Sequence, residues 1–385
     1  MLQELRKKDI KLSPHAVETI QRIVTGMILL SCIAGIAASY WDLLPPRKDL
    51  YNELWGPAYL LVRGGSPYNT ASLNPALPAA WLPMSIGFFF PLGWLGEETA
   101  LYAWFLFSLV ELAGILYLLQ RGHKSIPAFI GVSILAFGFP SVIHHLILGQ
   151  FSLTTTLCLV AGVPFILNRR HWLGAFLLAL ALSKIHLMTL PMLGLSFLYY
   201  REGGVRNMLV FWARVGAACL ILSLPLFVAY PNWIPDAVKS MTSNAPWAFP
   251  TLQKFLVFNL GSLGMWLWAV SVLIVIFISI LIWRRLNPLA ATFWNLGLAL
   301  LVSPYIGSWD FVVLLPLIVH TFLSTSARRK TFYVAAYIVA WVLMARIQLL
   351  TESHNHFFWW VPIWHLAALA FITDWRKPLS PELPR

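Results

Sequence analysis

Long apolar stretches parted by short polar and proline-rich breaks dominate the chain from residue 20 onward. A helix needs about 20 apolar residues to cross a hydrocarbon core. Read by apolar length, the pattern predicts about twelve crossings, at 20–41, 99–120, 125–145, 151–167, 172–183, 186–200, 207–230, 265–283, 289–304, 309–323, 331–349 and 357–374. The expected architecture is an all-α polytopic integral membrane protein, a single transmembrane domain over 1–385 with both termini on one side.

That threading requires the segment WLPMSIGFFFPLGWLG, 81–96, not to cross. It is short, and Pro83 and Pro91 disfavour an unbroken helix, so an interfacial or re-entrant element is expected. The first outer loop then covers 42–98, and a second large one covers 231–264, where Pro231, Pro235, Pro246 and Pro250 mark irregular chain. Residues 1–19 and 375–385 are expected to be cytoplasmic, and with a polar N-terminus no cleavable signal peptide is expected.

Composition agrees: 59% of residues are hydrophobic and only 11% charged, too few to cover a soluble protein of this size. The net charge of +12 falls in short clusters between apolar runs, at Arg169 and Arg170, Arg284 and Arg285, and Arg328 to Lys330. Such clusters mark cytoplasmic loops, so the charge is a topology signal and not a sign of nucleic-acid binding. Only Arg47, Lys48, Arg63, Lys184, Lys239, Lys254 and Arg346 of the 27 basic residues fall on the other side. Cys32, Cys158 and Cys219 lie within apolar runs and read as small hydrophobic fillers.

The candidate chemistry sits in the outer loops. Asp49 opens a helical pattern in which Leu50, Leu54, Ala58 and Leu61 recur and which Gly64 and Gly65 end. The aspartate is either the N-cap of that surface helix or a reactive carboxylate. Lys184 lies between two short apolar segments, where burying a cation is costly unless an anion offsets it or the side chain snorkels to the interface. His144, His145 and His186 cluster on the same face, but no HExxH is present and the carboxylates have no ligand-like spacing, so no metal is expected.

In order along the chain, Asp49 with the Gly65-Ser66-Pro67-Tyr68 turn, Gly149-Gln150, Lys184 with Pro191, and SPYIGSWDFVVLLP from Ser303 to Pro316 resemble the motifs of glycosyltransferase family 87. These are polyprenyl-phosphate-mannose-dependent mannosyltransferases of the multi-spanning GT-C superfamily. The chain departs from the family pattern at Trp81-Leu82-Pro83, at Ser152 and at Ile185, which bears on the sugar and the acceptor more than on the reaction class.

The resemblance implies an inverting transferase at the extracytoplasmic face of the plasma membrane. It would move a sugar, mannose first, from a polyprenyl-phosphate donor to a glycolipid or glycan acceptor. Asp49 would act as general base. Lys184, helped by Arg63, His145 or His186, would stabilise the departing phosphate. Tyr68, Gln150, Tyr305 and Asp310 would bond sugar or acceptor hydroxyls, although Asp310 also reads as a helix cap. No cofactor is implied, and the partners are donor, acceptor and membrane lipid. A transporter or flippase of a lipid-linked or phosphorylated substrate is the alternative, with Lys184 holding the phosphate midway and Asp49 structural. No internal repeat of the kind common in transporters relates 20–200 to 207–374.

Overall fold

The computed structural model describes residues 14–41, 44, 49–73, 79, 81–121, 125–242, 249–350 and 355–375. Among them every regular element is helical. Arg47, Lys48, Pro246 and most of the expected cytoplasmic termini, 1–13 and 376–385, lie outside the described residues.

The helices are α1 Pro14–Tyr40, α2 Gly56–Val62, α3 Pro83–Phe89, α4 Glu97–Gln120, α5 Ile126–Phe137, α6 Pro140–Leu148, α7 Ser152–Leu167 and α8 His171–Ala181. They continue as α9 Ile185–Ala229, α10 Trp233–Thr242, α11 Leu252–Arg285, α12 Pro288–Val302, α13 Leu315–Ser324, α14 Ala327–Leu350 and α15 Val361–Ile372. Helices α7, α8, α9 and α12 pack in series, and α12 is enclosed along most of its length. Gly162 and Gly174 let α7 and α8 approach closely: a Cβ on Gly174 would meet Ile166 at 2.6 Å and the Gly162 carbonyl at 3.0 Å. Small residues are what membrane helices use at such crossings.

Among the described residues five stretches are long and apolar enough to cross a membrane, six if the bent pair α5 and α6 forms one broken span. The expected twelve is therefore not reached by length and composition. One of the five, His171–Ala229, covers 59 residues. As a straight helix it would be about 90 Å long, three times a hydrocarbon core of about 30 Å. It is divided by a 3₁₀ turn at Leu182–Lys184 and by non-helical backbone at Gly203 and Gly204, which breaks α9 between 202 and 205. The expected span 125–145 is interrupted by a 53° bend, where Gly138 and Phe139 leave helical geometry ahead of Pro140. Helix α11 starts at Leu252, earlier than the expected 265, because Thr251 caps it by accepting the Lys254 N–H; the chain then breaks at Gly261.

Residues 81–96 form the seven-residue helix α3 and a 3₁₀ turn, Phe90–Trp94, too short to cross a core of about 30 Å. Helix α3 lies against the second half of α9, with Gly87 facing the Leu222 carbonyl. The turn packs on α2. Together they brace the segment that starts at Asp49.

Candidate functional site

Asp49 precedes a π-helical turn, Leu50–Trp55, that runs into α2 at Gly56 and Pro57. Leu50, Leu54, Ala58 and Leu61 are all buried, which fixes this segment's inner face. The Asp49 backbone is itself helical, and its side chain makes no cap bond, so the capping reading does not hold. The carboxylate instead accepts a 2.5 Å hydrogen bond from Gln150 Nε2.

Gln150 reaches it because of the residue before. Gly149 ends α6 in the left-handed region at φ +69°, and both Gly149 and Gln150 donate their N–H to the His145 carbonyl. A Cβ on Gly149 would stand 2.6 Å from Leu50 Cβ, so only glycine permits both the turn and the approach of the segment carrying Asp49. Trp104 Nε1 donates to the Gln150 carbonyl and holds it from the far side.

The other end of the same amide meets the lysine. Lys184 closes the 3₁₀ turn between α8 and α9, is 3% exposed, and donates to Gln150 Oε1 at 3.3 Å. It also donates to Asp310 Oδ1 at 2.6 Å. Its third N–H has no partner among the described residues, and the Trp81 ring lies 5.4 Å away.

Asp310 is fully buried in the 3₁₀ turn Ser308–Leu314. Ser152, at the start of α7, donates to Oδ1 at 2.5 Å, and the Gly307 N–H donates to Oδ2 at 2.8 Å. Asp310 is thus both a cap within its own turn and the anion beside Lys184. His144 bonds Ser308, which fastens that turn to α6.

The structure adds Glu53, which sequence reasoning left without a role. It follows Asp49 by four residues, the spacing that shares a helix face. Burial, then the neighbouring Asp49 charge, raise its carboxyl to about 8, against smaller opposing effects of Lys184 and Gln150. Glu53 is therefore shifted toward its protonated form. Ser152 also had no assigned role; its hydroxyl falls on Asp310 only through a fold contact between α7 and the late turn.

The remaining candidates divide. His145 and His186 lie within electrostatic range of Lys184 and Asp310. Neither nitrogen of buried His145 has a partner among the described residues. The His186 ring stands edge-on to Tyr305, with centroids 5.4 Å apart. Burial pushes the Tyr305 phenol up, and the charges of Glu53, Asp310 and Asp49 add to it.

Tyr68 is one step removed. It is buried, donates to the Trp81 carbonyl and stacks with Trp233, so it supports Trp81 and does not touch the polar cluster. Arg63 is exposed at the far end of α2, where it bonds the Tyr59 and Gly93 carbonyls and lies over the Tyr59 ring; the structure does not bring it to Lys184. Among the described residues no group of three or more His, Cys, Asp or Glu is placed to hold a metal ion.

The arrangement offers a carboxylate and an ammonium joined through one amide, with a second, buried carboxyl beside the first and a buried counter-ion beside the second. It is suited to accepting a proton at one end and holding an anion at the other. The model for Glycosyltransferase family 87 matches residues 82–304, more than half of the chain. That stretch holds Gln150, Ser152 and Lys184, while Asp49, Glu53 and Asp310 flank it. A search of curated proteins finds no match.

Proposed function

This chain belongs to glycosyltransferase family 87, and from that premise we propose that it transfers a sugar, mannose first, from a polyprenyl-phosphate donor to a hydroxyl of a glycolipid or glycan. The observation that carries this reading is the single Gln150 amide spanning Asp49 and Lys184.

In this reading the acceptor O–H gives its proton to Asp49 as its oxygen bonds the anomeric carbon. The bond from that carbon to the donor phosphate breaks, and the electron pair leaves with the phosphate. Attack opposite the leaving group inverts the anomeric centre through an oxocarbenium-like state. Lys184 meets the charge gathering on the phosphate, held in place by Asp310 and Gln150. Because burial and Asp49 shift Glu53 toward its protonated form, it lessens the negative charge gathered beside the base.

The reaction is assigned to the extracytoplasmic face of the plasma membrane. The clustering of arginines toward the opposite helix ends supports that orientation. Supply of both lipid substrates within the bilayer fits a chain with several membrane-length helices.

The test is transfer of radiolabelled mannose from its polyprenyl phosphate to a crude glycolipid acceptor by protein reconstituted in lipid. Asp49→Asn is expected to abolish transfer while retaining the donor, and Lys184→Gln to weaken donor retention. Transfer that survives Asp49→Asn removes Asp49 from the role of base.

A further inference from the structure

Lys184 marks one end of the hairpin made by α8 and the first half of α9; the other end carries a second polar site. From Ile185 to Glu202 the helix runs about 25 Å, so the two sites are separated by roughly the depth of a hydrocarbon core. A cavity of about 190 Å³ opens there, lined by Arg169, His171, Tyr199, Glu202, Asn207 and Arg214 among others. Liquid water occupies roughly 30 Å³ per molecule, so the space exceeds one or two waters.

Two of these residues need a reason to be where they are. Arg214 lies ten residues past the break at Gly204, about 15 Å into an apolar helix, and is half-buried. It makes no hydrogen bond or ion pair with a described residue, and a half-buried arginine within an apolar helix is costly unless it has an anion to meet. Arg169 is the one non-glycine residue among those described with positive φ, at +59°. It sits just past the end of α7, where the Arg170 N–H turns back to the Phe165 carbonyl, a position glycine fills at no cost. A strained backbone is kept here under a side chain that lines the cavity.

The lining is built for one negative charge. The charged residues of the lining are Arg169, Arg214 and Glu202, which leaves one positive charge in excess. The His171 and Tyr199 side chains are locked to each other by a 2.7 Å hydrogen bond, and Asn207 adds a further polar side chain. We propose that this cavity binds the phosphate of an anionic membrane lipid, held between the Arg169 and Arg214 guanidinium groups, in the leaflet opposite the candidate active site. Guanidinium groups bond phosphate oxygens in pairs, and the apolar flank of α9 beside them receives the acyl chains. The site is independent of the transfer reaction and of Lys184.

The test uses the full chain in detergent, with native mass spectrometry and thermal unfolding in the presence of phosphatidylglycerol, phosphatidylcholine or inorganic phosphate. The wild type is expected to retain phosphatidylglycerol and to be stabilised by it, with little effect of the other two. Arg214→Gln and Arg169→Gly are each expected to weaken phosphatidylglycerol retention about tenfold. Arg169→Gly relieves the positive φ, so without lipid it is expected to unfold no earlier than wild type, and it carries the test if Arg214→Gln does not fold. Undiminished phosphatidylglycerol binding in Arg169→Gly, or equal stabilisation by phosphatidylcholine or inorganic phosphate, overturns the proposal.

Discussion

Lys184 Nζ lies 2.6 Å from Asp310 Oδ1, and neither side chain is more than 4% exposed. The pair ties the α8–α9 junction to the turn Ser308–Leu314 across 126 residues of sequence. Losing one member of a buried pair leaves the other charge uncompensated, a larger effect than the net worth of the pair. Asp310→Asn is therefore expected to cost about 3–5 kcal/mol, and Lys184→Met a similar amount. The double variant Lys184→Met, Asp310→Asn is expected to lose much less than the two together. Thermal unfolding of all four proteins checks this, and strict additivity would show that the two residues are not coupled.

Gly149→Ala is expected to act on the site through geometry alone. A left-handed backbone costs an alanine about 1–2 kcal/mol, and the added methyl would overlap Leu50 Cβ. Relief comes from parting α6 and the segment after Asp49, which lengthens the bond from Gln150 to Asp49. Sugar transfer is expected to fall at least tenfold, with a moderate loss of thermal stability; equal transfer by both proteins would mean that this contact does not set the site.

Glu53 supplies a pH signature. Its carboxyl is lifted from 4.5 to about 8 in the folded chain, chiefly by burial and then by Asp49. Between those values the folded state holds a proton that the unfolded state has released. The Glu53 contribution to stability is thus complete below about 4.5 and is lost as pH rises through about 8. Glu53→Gln copies the protonated form. It is expected to keep transfer at neutral pH, and to flatten the fall in stability that the wild type shows across that window. A wild-type decline unchanged in Glu53→Gln would assign the pH dependence to another group.

Arg63→Ala is expected to leave transfer within about twofold of wild type, because its guanidinium is occupied by the Tyr59 ring and two carbonyls. The stability cost of losing an exposed cation–π contact is on the order of 0.5–1 kcal/mol. A tenfold fall in donor affinity, measured with the radiolabelled donor, would return Arg63 to phosphate recognition.

What could be read from the chain alone was the kind of residue out of place in an apolar environment. Asp49, Gln150, Lys184 and Asp310 stood out by polarity and by motif order, and the fold draws these four into one hydrogen-bonded set. Their pairing was not legible, because it depends on how the start of α7 meets the late turn, a contact between segments more than 150 residues apart. Glu53 was visible at helical spacing from Asp49, but its shift toward the protonated form depends on burial that no local pattern encodes. Apolar length also misjudged the expected span 309–323, which is a 3₁₀ turn followed by α13, a helix of only 10 residues.

A primary amide has one oxygen and one nitrogen on a rigid plane, and in Gln150 the Lys184 ammonium engages the first while Asp49 engages the second. Rotation that follows either neighbour is transmitted to the other within a single side chain. A donor that draws the ammonium toward itself would release the oxygen and loosen the grip on the acid, freeing it to take up an acceptor. In the proposed reaction, this favours ordered addition, with the lipid-linked sugar arriving first.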